Sequence, residues 1–231
     1  MTTAPTKKTA KAADRLAAVL KTIAAEKQDD LAKWKKRGPS LLKREDFVWD
    51  RLLSAFSTWG GSKGWDGLIG DKANYARVTY DAIGAYTKKR RVAEIEWVMR
   101  DAKVRYPANK AKYLADNYDL VKEMGGPAEA RKLLLAAPGR EGKLAFMRQF
   151  VGIGKKYARD MLMDAYHPDF HDSVALDSRV KSITEALGLS FSSYEDHEQF
   201  YLDVGRKAGL NGWEVDRILY NFRDDVTERL G

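Results

Sequence analysis

The chain reads as an all-α protein built from many short helices packed at varied angles rather than as one regular bundle. Three observations predict this. Apolar residues recur at helical spacing along most of the 231 residues, no run alternates apolar and polar residues long enough to make a strand, and Gly and Pro fall between the periodic segments. Residues 174–176 are the nearest thing to a strand and are too short to count. With 44% apolar and 11% aromatic residues, the chain can bury one substantial core or two small ones.

In order along the chain, Leu16, Val19, Leu20, Ile23, Leu31 and Trp34 form one apolar stripe under a charged face, which predicts a long or broken helix over 10–36. Gly38 and Pro39 fall between it and a further helix over 44–57. Residues 57–70 carry Gly60, Gly61, Gly64, Gly67 and Gly70 interleaved with Trp59, Lys63 and Trp65, which predicts a loop. Helices are then expected at 73–88, 92–104 and 109–123, with Pro107 before the last of these. Further helices at 127–136, 141–150, 155–166, 177–187, 194–208 and 213–230 are separated by Gly125-Gly126, Pro138-Gly139, Gly152 and Gly154, Pro168, Gly188 and Gly209.

Charge is unevenly spread. The total is +8, but residues 1–37 alone hold a net +6, leaving +2 for the remainder. The total suggests an anionic partner, while the distribution leaves the basic segment either assisting binding or simply solvated. There are no cysteines, which excludes disulfides, iron–sulfur clusters and cysteine-ligated zinc. No apolar run approaches a bilayer span, and residues 1–13 are basic and polar without a secretory apolar stretch. A soluble, cytoplasmic protein is expected, nucleoid-associated in a bacterium.

The most informative stretch is Gly152-Ile153-Gly154-Lys155-Lys156, which opens a helix, followed later by Val174-Ala175-Leu176-Asp177-Ser178-Arg179. Two glycines around an apolar residue permit a tight turn and close backbone approach, and the first amides of the next helix can hold a phosphate. If the chain returns Asp177 to Lys156, an amine nucleophile and a carboxylate share one site. Leu144, Ala145, Phe146, Phe150 and Val151 make an apolar approach to the turn, and Ala158, Met161 and Leu162 continue an apolar face after it, giving helix, hairpin, helix.

Residues 150–189 resemble the helix-hairpin-helix DNA glycosylase superfamily. The likeness rests on Gly-x-Gly, Ala158 four residues after the second glycine, and an Asp-x-Arg segment leading into a helix that ends Leu187-Gly188-Leu189. Val104-Arg105-Tyr106-Pro107-Ala108-Asn109-Lys110-Ala111-Lys112-Tyr113 is similar, more softly, to the segment before the hairpin in 8-oxoguanine glycosylase relatives. The resemblance implies that Gly152, Ile153, Gly154 and Lys155 grip the DNA backbone. It implies that Lys156, two after the second glycine, marks the bifunctional branch that forms a Schiff base and cuts the strand. It gives Asp177 the role of stabilising positive charge on the sugar, and Arg179 a phosphate contact or an anchor for the aspartate's loop. The interval from Lys156 to Asp177 is 21 residues, longer than expected for the family, with 167–172 taking up the excess as a loop.

Each assignment has a structural alternative. Asp177 before 178–187 is a favoured helix N-cap. Asp160, four residues after Lys156, either forms an ion pair with it or contacts the flipped base. Trp59 and Trp65 either intercalate or stack, with Lys63 near a phosphate, or they pack the loop onto the body. Trp213 and Phe222 share a helical face with Val215, Ile218 and Leu219, and are either core or base-pocket walls. His167 and His171 flank Pro168 with no third His or Cys nearby, which disfavours a metal site, and His197 is expected on a helix surface.

The expectation is therefore a base-excision glycosylase with AP-lyase activity on double-stranded DNA, its base an oxidised purine resembling 8-oxoguanine. Neither metal nor organic cofactor is called for, no membrane partner is expected, and the working unit is a monomer. A monofunctional glycosylase and a non-catalytic DNA-binding module are the rivals. The expected division is a basic N-terminal helical arm at 1–37, one helical subdomain from 38–70 with 167–231 carrying Asp177, and a second at 71–166 ending in the hairpin motif at about 141–166.

Overall fold

The computed structural model describes residues 7–59, 61 and 63–231, so the first six residues of the basic segment, Gly60 and Ser62 lie outside it. The regular elements of the described residues are all helical, without strands. The helices are α1 (Lys7–Glu26), α2 (Gln28–Leu41), α3 (Phe47–Thr58), α4 (Lys63–Trp65), α5 (Lys72–Arg77), α6 (Tyr80–Gly84), α7 (Lys88–Asp101) and α8 (Pro107–Glu123). They continue with α9 (Pro127–Ala136), α10 (Gly139–Met147), α11 (Lys155–Asp164), α12 (Ser178–Ala186), α13 (Tyr194–Ala208), α14 (Gly212–Asn221) and α15 (Arg223–Leu230). Among the described residues no helix is long and apolar enough to cross a membrane.

The chain forms two compact units. One joins the described residues up to Ser40 with Leu162–Gly231, and the other is Leu41–Met161. This division differs from the expected one: residues 41–70 fall with 71–161, because α3 packs on α8 and α9. Nor is the N-terminal segment an arm. Helix α1 lies on α13, α14 and α15 with Leu16, Leu20 and Ile23 fully buried, each contributing about 1.5–3 kcal/mol. Its charges are partly spent at home, since Asp14 pairs with Lys207, Arg15 donates to the Leu230 carbonyl, and Glu26 pairs with Arg229 at 2.7 Å.

In the 41–161 unit, Trp49 is fully buried, donates its indole N–H to the Val78 carbonyl at 2.9 Å and meets Tyr80 and Tyr118 edge-on. The expected helix over 73–88 is two, α5 and α6, because Thr79 starts a new helix by accepting from the Ala82 amide while Asp71 caps the first by accepting from Ala73 and Asn74. The helix over 213–230 is likewise broken at Phe222, whose φ of −120° leaves the helical range.

The glycine-rich 57–70 segment is not an open loop. Helix α4 runs into a π-helical turn at Asp66–Gly70, and Gly64 and Gly67 serve close packing. A Cβ at Gly64 would lie 2.5 Å from the Ser57 carbonyl oxygen, and one at Gly67 would lie 2.4 Å from that of Ala102.

Candidate active site

The hairpin between α10 and α11 uses its two glycines differently. Gly152 has φ +83°, and a Cβ there would meet the Phe56 ring at 2.9 Å and Tyr113 at 3.2 Å, so both backbone conformation and space demand glycine. Gly154 has no atom within 4 Å of its Cβ position and faces outward. Between them Ile153 is buried as a plug. Asn117, buried on α8, holds the turn from behind: its side-chain oxygen accepts from the Val151 amide at 2.7 Å and its side-chain nitrogen donates to the Val151 carbonyl at 3.1 Å.

Helix α11 begins directly after Gly154, whose carbonyl accepts from the Ala158 amide at 3.0 Å. Lys155 is exposed and Lys156 half-buried in the first turn, where a helix start favours anions. The Lys156 Nζ donates to Asp160 Oδ2 at 2.9 Å and lies 4.2 Å from the centre of the Tyr157 ring. The carboxylate favours the ammonium form of Lys156, so the ion-pair alternative for Asp160 is realised in this conformation.

Asp177 is the N-cap of α12. Its Oδ1 accepts from the Val180 amide at 2.9 Å, while Oδ2 makes no hydrogen bond among the described residues. Capping and chemistry are therefore compatible, since one oxygen anchors the helix and the other is available. Two residues on, Arg179 donates to the Tyr220 carbonyl at 2.7 Å and covers the Tyr220 ring at 4.3 Å. With Tyr220, Asn221, Arg223 and Asp224 it lines a polar cavity of about 160 Å³.

The remaining residues sort by exposure. Trp59 is 37% exposed, capping α3 and stacked on Tyr113 at 6.2 Å, and Trp65 on α4 is 39% exposed, with Lys63 exposed on the same short helix. Trp213 is core: it is buried, with its indole N–H donated to the Met163 carbonyl at 2.7 Å and Tyr166 edge-on at 4.8 Å. Phe222 is half-buried against Trp34 at 6.0 Å with Lys27 over its ring. These packing partners give Trp213 the core alternative rather than a pocket wall, and leave Phe222 half-buried. His197 departs from the expected surface position. It is half-buried beneath Phe191 and bonded to the Thr184 hydroxyl at 2.6 Å, and burial, with Lys181 nearby, lowers its pKa to about 4. His167 is occupied locally, its Nδ1 accepting from the Asp169 amide, and His171 stacks on Tyr166 at 4.1 Å.

Lys63, Trp59, Trp65, the hairpin, Lys156 and Asp160 belong to the 41–161 unit, and Asp177, Arg179, Trp213 and Phe222 to the other. Two further residues of the 41–161 unit stand in settings that the sequence scarcely signals. Lys110 is fully buried, donating to the Trp59 carbonyl at 2.6 Å, and desolvation with the adjacent Arg105 lowers its pKa to about 8. Tyr106, 64% exposed, is held in the left-handed region (φ 57°, ψ 48°) as the N-cap of α8, a strained setting for a tyrosine. Only Pro107 hinted at it, since a residue before proline is pushed out of the α region.

No family model and no curated protein matches the chain. Two solved structures do. One is the 8-oxoguanine DNA glycosylase of Thermotoga maritima, 17% identical with a TM-score of 0.68, covering 91% of this chain and 96% of that one. The other is the Methanocaldococcus jannaschii 8-oxoguanine glycosylase/lyase in complex with a 15mer DNA containing 8-oxoguanine, 16% identical with a TM-score of 0.69, covering 90% and 97%. At such identity the likeness establishes a shared fold over nearly the whole of both chains.

Proposed function

We propose that this chain is a base-excision DNA glycosylase with AP-lyase activity that removes an oxidised purine, with 8-oxoguanine the first candidate. It works in the cytoplasm as a single chain on double-stranded DNA. One observation carries the reading: a Gly-Ile-Gly hairpin whose second glycine faces outward leads directly into a helix with Lys156 in its first turn, in a chain sharing the fold of two 8-oxoguanine glycosylases. The hairpin amides and Lys155 bind the DNA backbone, with Arg179 and Lys63 contributing cationic contacts. Trp59, Trp65 and Tyr106 are among the exposed aromatics of the 41–161 unit and supply surfaces to stack on bases or fill the gap left by an extruded one.

In the reaction, Lys156 Nζ attacks the anomeric carbon of the extruded nucleotide. The glycosidic bond breaks, its electron pair leaving with the base. The Asp177 carboxylate stabilises the positive charge that develops on the sugar and takes a proton from the attacking nitrogen. The C1′–O4′ bond then breaks as the ring oxygen takes up a proton, leaving an iminium at C1′; this acidifies the neighbouring C2′, whose proton passes to water or the released base as the C3′–O bond breaks and the 3′ phosphate departs by β-elimination. Release of the modified base from a duplex carrying a single 8-oxoguanine tests the activity. The wild type is expected to release it and Asp177→Asn is not. No release from that duplex or from duplexes bearing other oxidised purines would defeat the reading.

The Lys156–Asp160 ion pair favours a second reading, a monofunctional enzyme in which Asp177 activates water and Lys156 stays charged. Lys156→Ala then releases base at close to the wild-type rate and neither enzyme nicks the strand.

A further inference from the structure

Asp177 stands at the end of a short irregular segment whose backbone is tied down residue by residue. The Val174 amide donates to Glu198 Oε1 at 3.0 Å, the Ala175 amide to Asp216 Oδ1 at 2.7 Å, and the Leu176 amide to the Tyr194 hydroxyl at 3.1 Å. The same hydroxyl donates to the Val174 carbonyl at 3.1 Å. Glu198 and Asp216 are both buried, and burying a carboxylate is costly even when hydrogen-bonded. Two buried acids spent on successive backbone amides are an expensive way to hold an ordinary connection.

The supports are themselves fixed. Glu198 and Tyr194 lie on α13, one helical turn apart, so they face the segment together. Asp216 lies on α14, whose start is locked by a capping box between Asn211 and Glu214 and pressed against the segment: a Cβ at Gly212 would fall 2.7 Å from the Ser173 nitrogen. The second Asp216 oxygen pairs with Arg217 at 2.9 Å, and Arg217 reaches Asp164, the last residue of α11, at 3.0 Å. The segment is thus held from α13 on one hand and α14 on the other.

We propose that Tyr194, Glu198 and Asp216 are positioning residues for Asp177, setting the carboxylate's place by clamping residues 174–176. This rests on Asp177 having the role proposed above. A shift of about 1 Å in a reacting group costs up to about 100-fold in rate, so loosening the clamp must appear in the chemical step rather than in DNA affinity. Tyr194→Phe removes one oxygen and two hydrogen bonds from the clamp while keeping the ring, and Glu198→Ala removes the other support on α13.

The test is single-turnover base release from a duplex carrying one 8-oxoguanine, with dissociation constants measured on the same duplex and rates taken per folded enzyme. Tyr194→Phe is expected to slow release about 5- to 20-fold and Glu198→Ala about 10- to 100-fold, with affinity held within about twofold. Glu198→Gln, whose amide oxygen still accepts from Val174, is expected to recover most of the rate. In an Asp177→Asn background neither change is expected to slow residual release further. Wild-type rates in Tyr194→Phe and the folded Glu198 variants would overturn the proposal while leaving the glycosylase reading intact, as would equal losses with and without Asp177. An inactive wild type overturns both. If Glu198→Ala does not fold, Tyr194→Phe and Glu198→Gln decide the matter between them.

Discussion

Alanine at Gly152 and at Gly154 should have opposite signatures, although the two glycines sit one residue apart. At Gly152 an added Cβ meets the Phe56 ring at 2.9 and 3.0 Å and Tyr113 at 3.2 Å, and φ is +83°. The left-handed conformation costs a non-glycine residue about 1–2 kcal/mol, and overpacking against a buried ring costs about 1–3 kcal/mol. Against this, alanine restricts the unfolded chain and returns about 0.4–1 kcal/mol. The net expectation for Gly152→Ala is a loss of about 1–5 kcal/mol. At Gly154 nothing lies within 4 Å of the new methyl and φ is outside the left-handed range, so stability should change by less than about 1 kcal/mol. The methyl does, however, stand on the face assigned to the DNA backbone, and a tenfold loss of affinity, about 1.4 kcal/mol, is expected. Urea denaturation measures the first effect and fluorescence anisotropy on a labelled duplex the second. Equal destabilisation by both variants, or a Gly154→Ala protein that binds DNA as well as wild type, would refute the reasoning.

Asp177→Asn keeps an acceptor for the Val180 amide and should fold as stably as wild type, whereas Asp177→Ala should cost about 1 kcal/mol; base release falls at least about 100-fold in both, read by single-turnover assay beside urea melts. Asp160→Asn removes the carboxylate that favours the Lys156 ammonium and should speed borohydride trapping about 3- to 10-fold near pH 7, while a fall in the rate would instead assign Asp160 to orienting the amine or the base. His197, lowered to about 4 from an unfolded value near 6.5, binds fewer protons in the folded state between those values, so its contribution to stability is lost as pH falls from about 6.5 to 4. Urea midpoints for wild type should drop more steeply through that window than those for His197→Gln, and parallel curves would contradict the burial argument.

The parts of the site written locally in the sequence were legible there. A Gly-x-Gly before a helix specifies its own turn, and an aspartate before a helical run caps it, so Gly152, Gly154, Lys156 and Asp177 stand in the local settings expected of them. What depends on partners far along the chain was not legible. Gly64 and Gly67 looked like loop punctuation because Val104 and Ala102, which they press against, lie over 30 residues away. The apolar stripe of α1 was visible, but not that α13 to α15 would cover it, so its charges looked like an arm. Nothing local in the sequence marks Lys110, Glu198 and Asp216 as buried, and only their bonds to the backbone at Trp59, Val174 and Ala175 reveal them as buried supports. Trp213 shows the converse, since the helical spacing that put it on one face with Val215, Ile218 and Leu219 was right and the packing around it decided for core.

The proposal turns on Lys156 as the nucleophile, and borohydride trapping on a duplex carrying a single 8-oxoguanine, followed by mass spectrometry of the linked peptide, tests that most directly. A covalent adduct at Lys156, lost in Lys156→Ala while DNA affinity is retained, is the predicted result. Base release without any trapped adduct, persisting in Lys156→Ala, would contradict it and hand the chemistry to Asp177 and water.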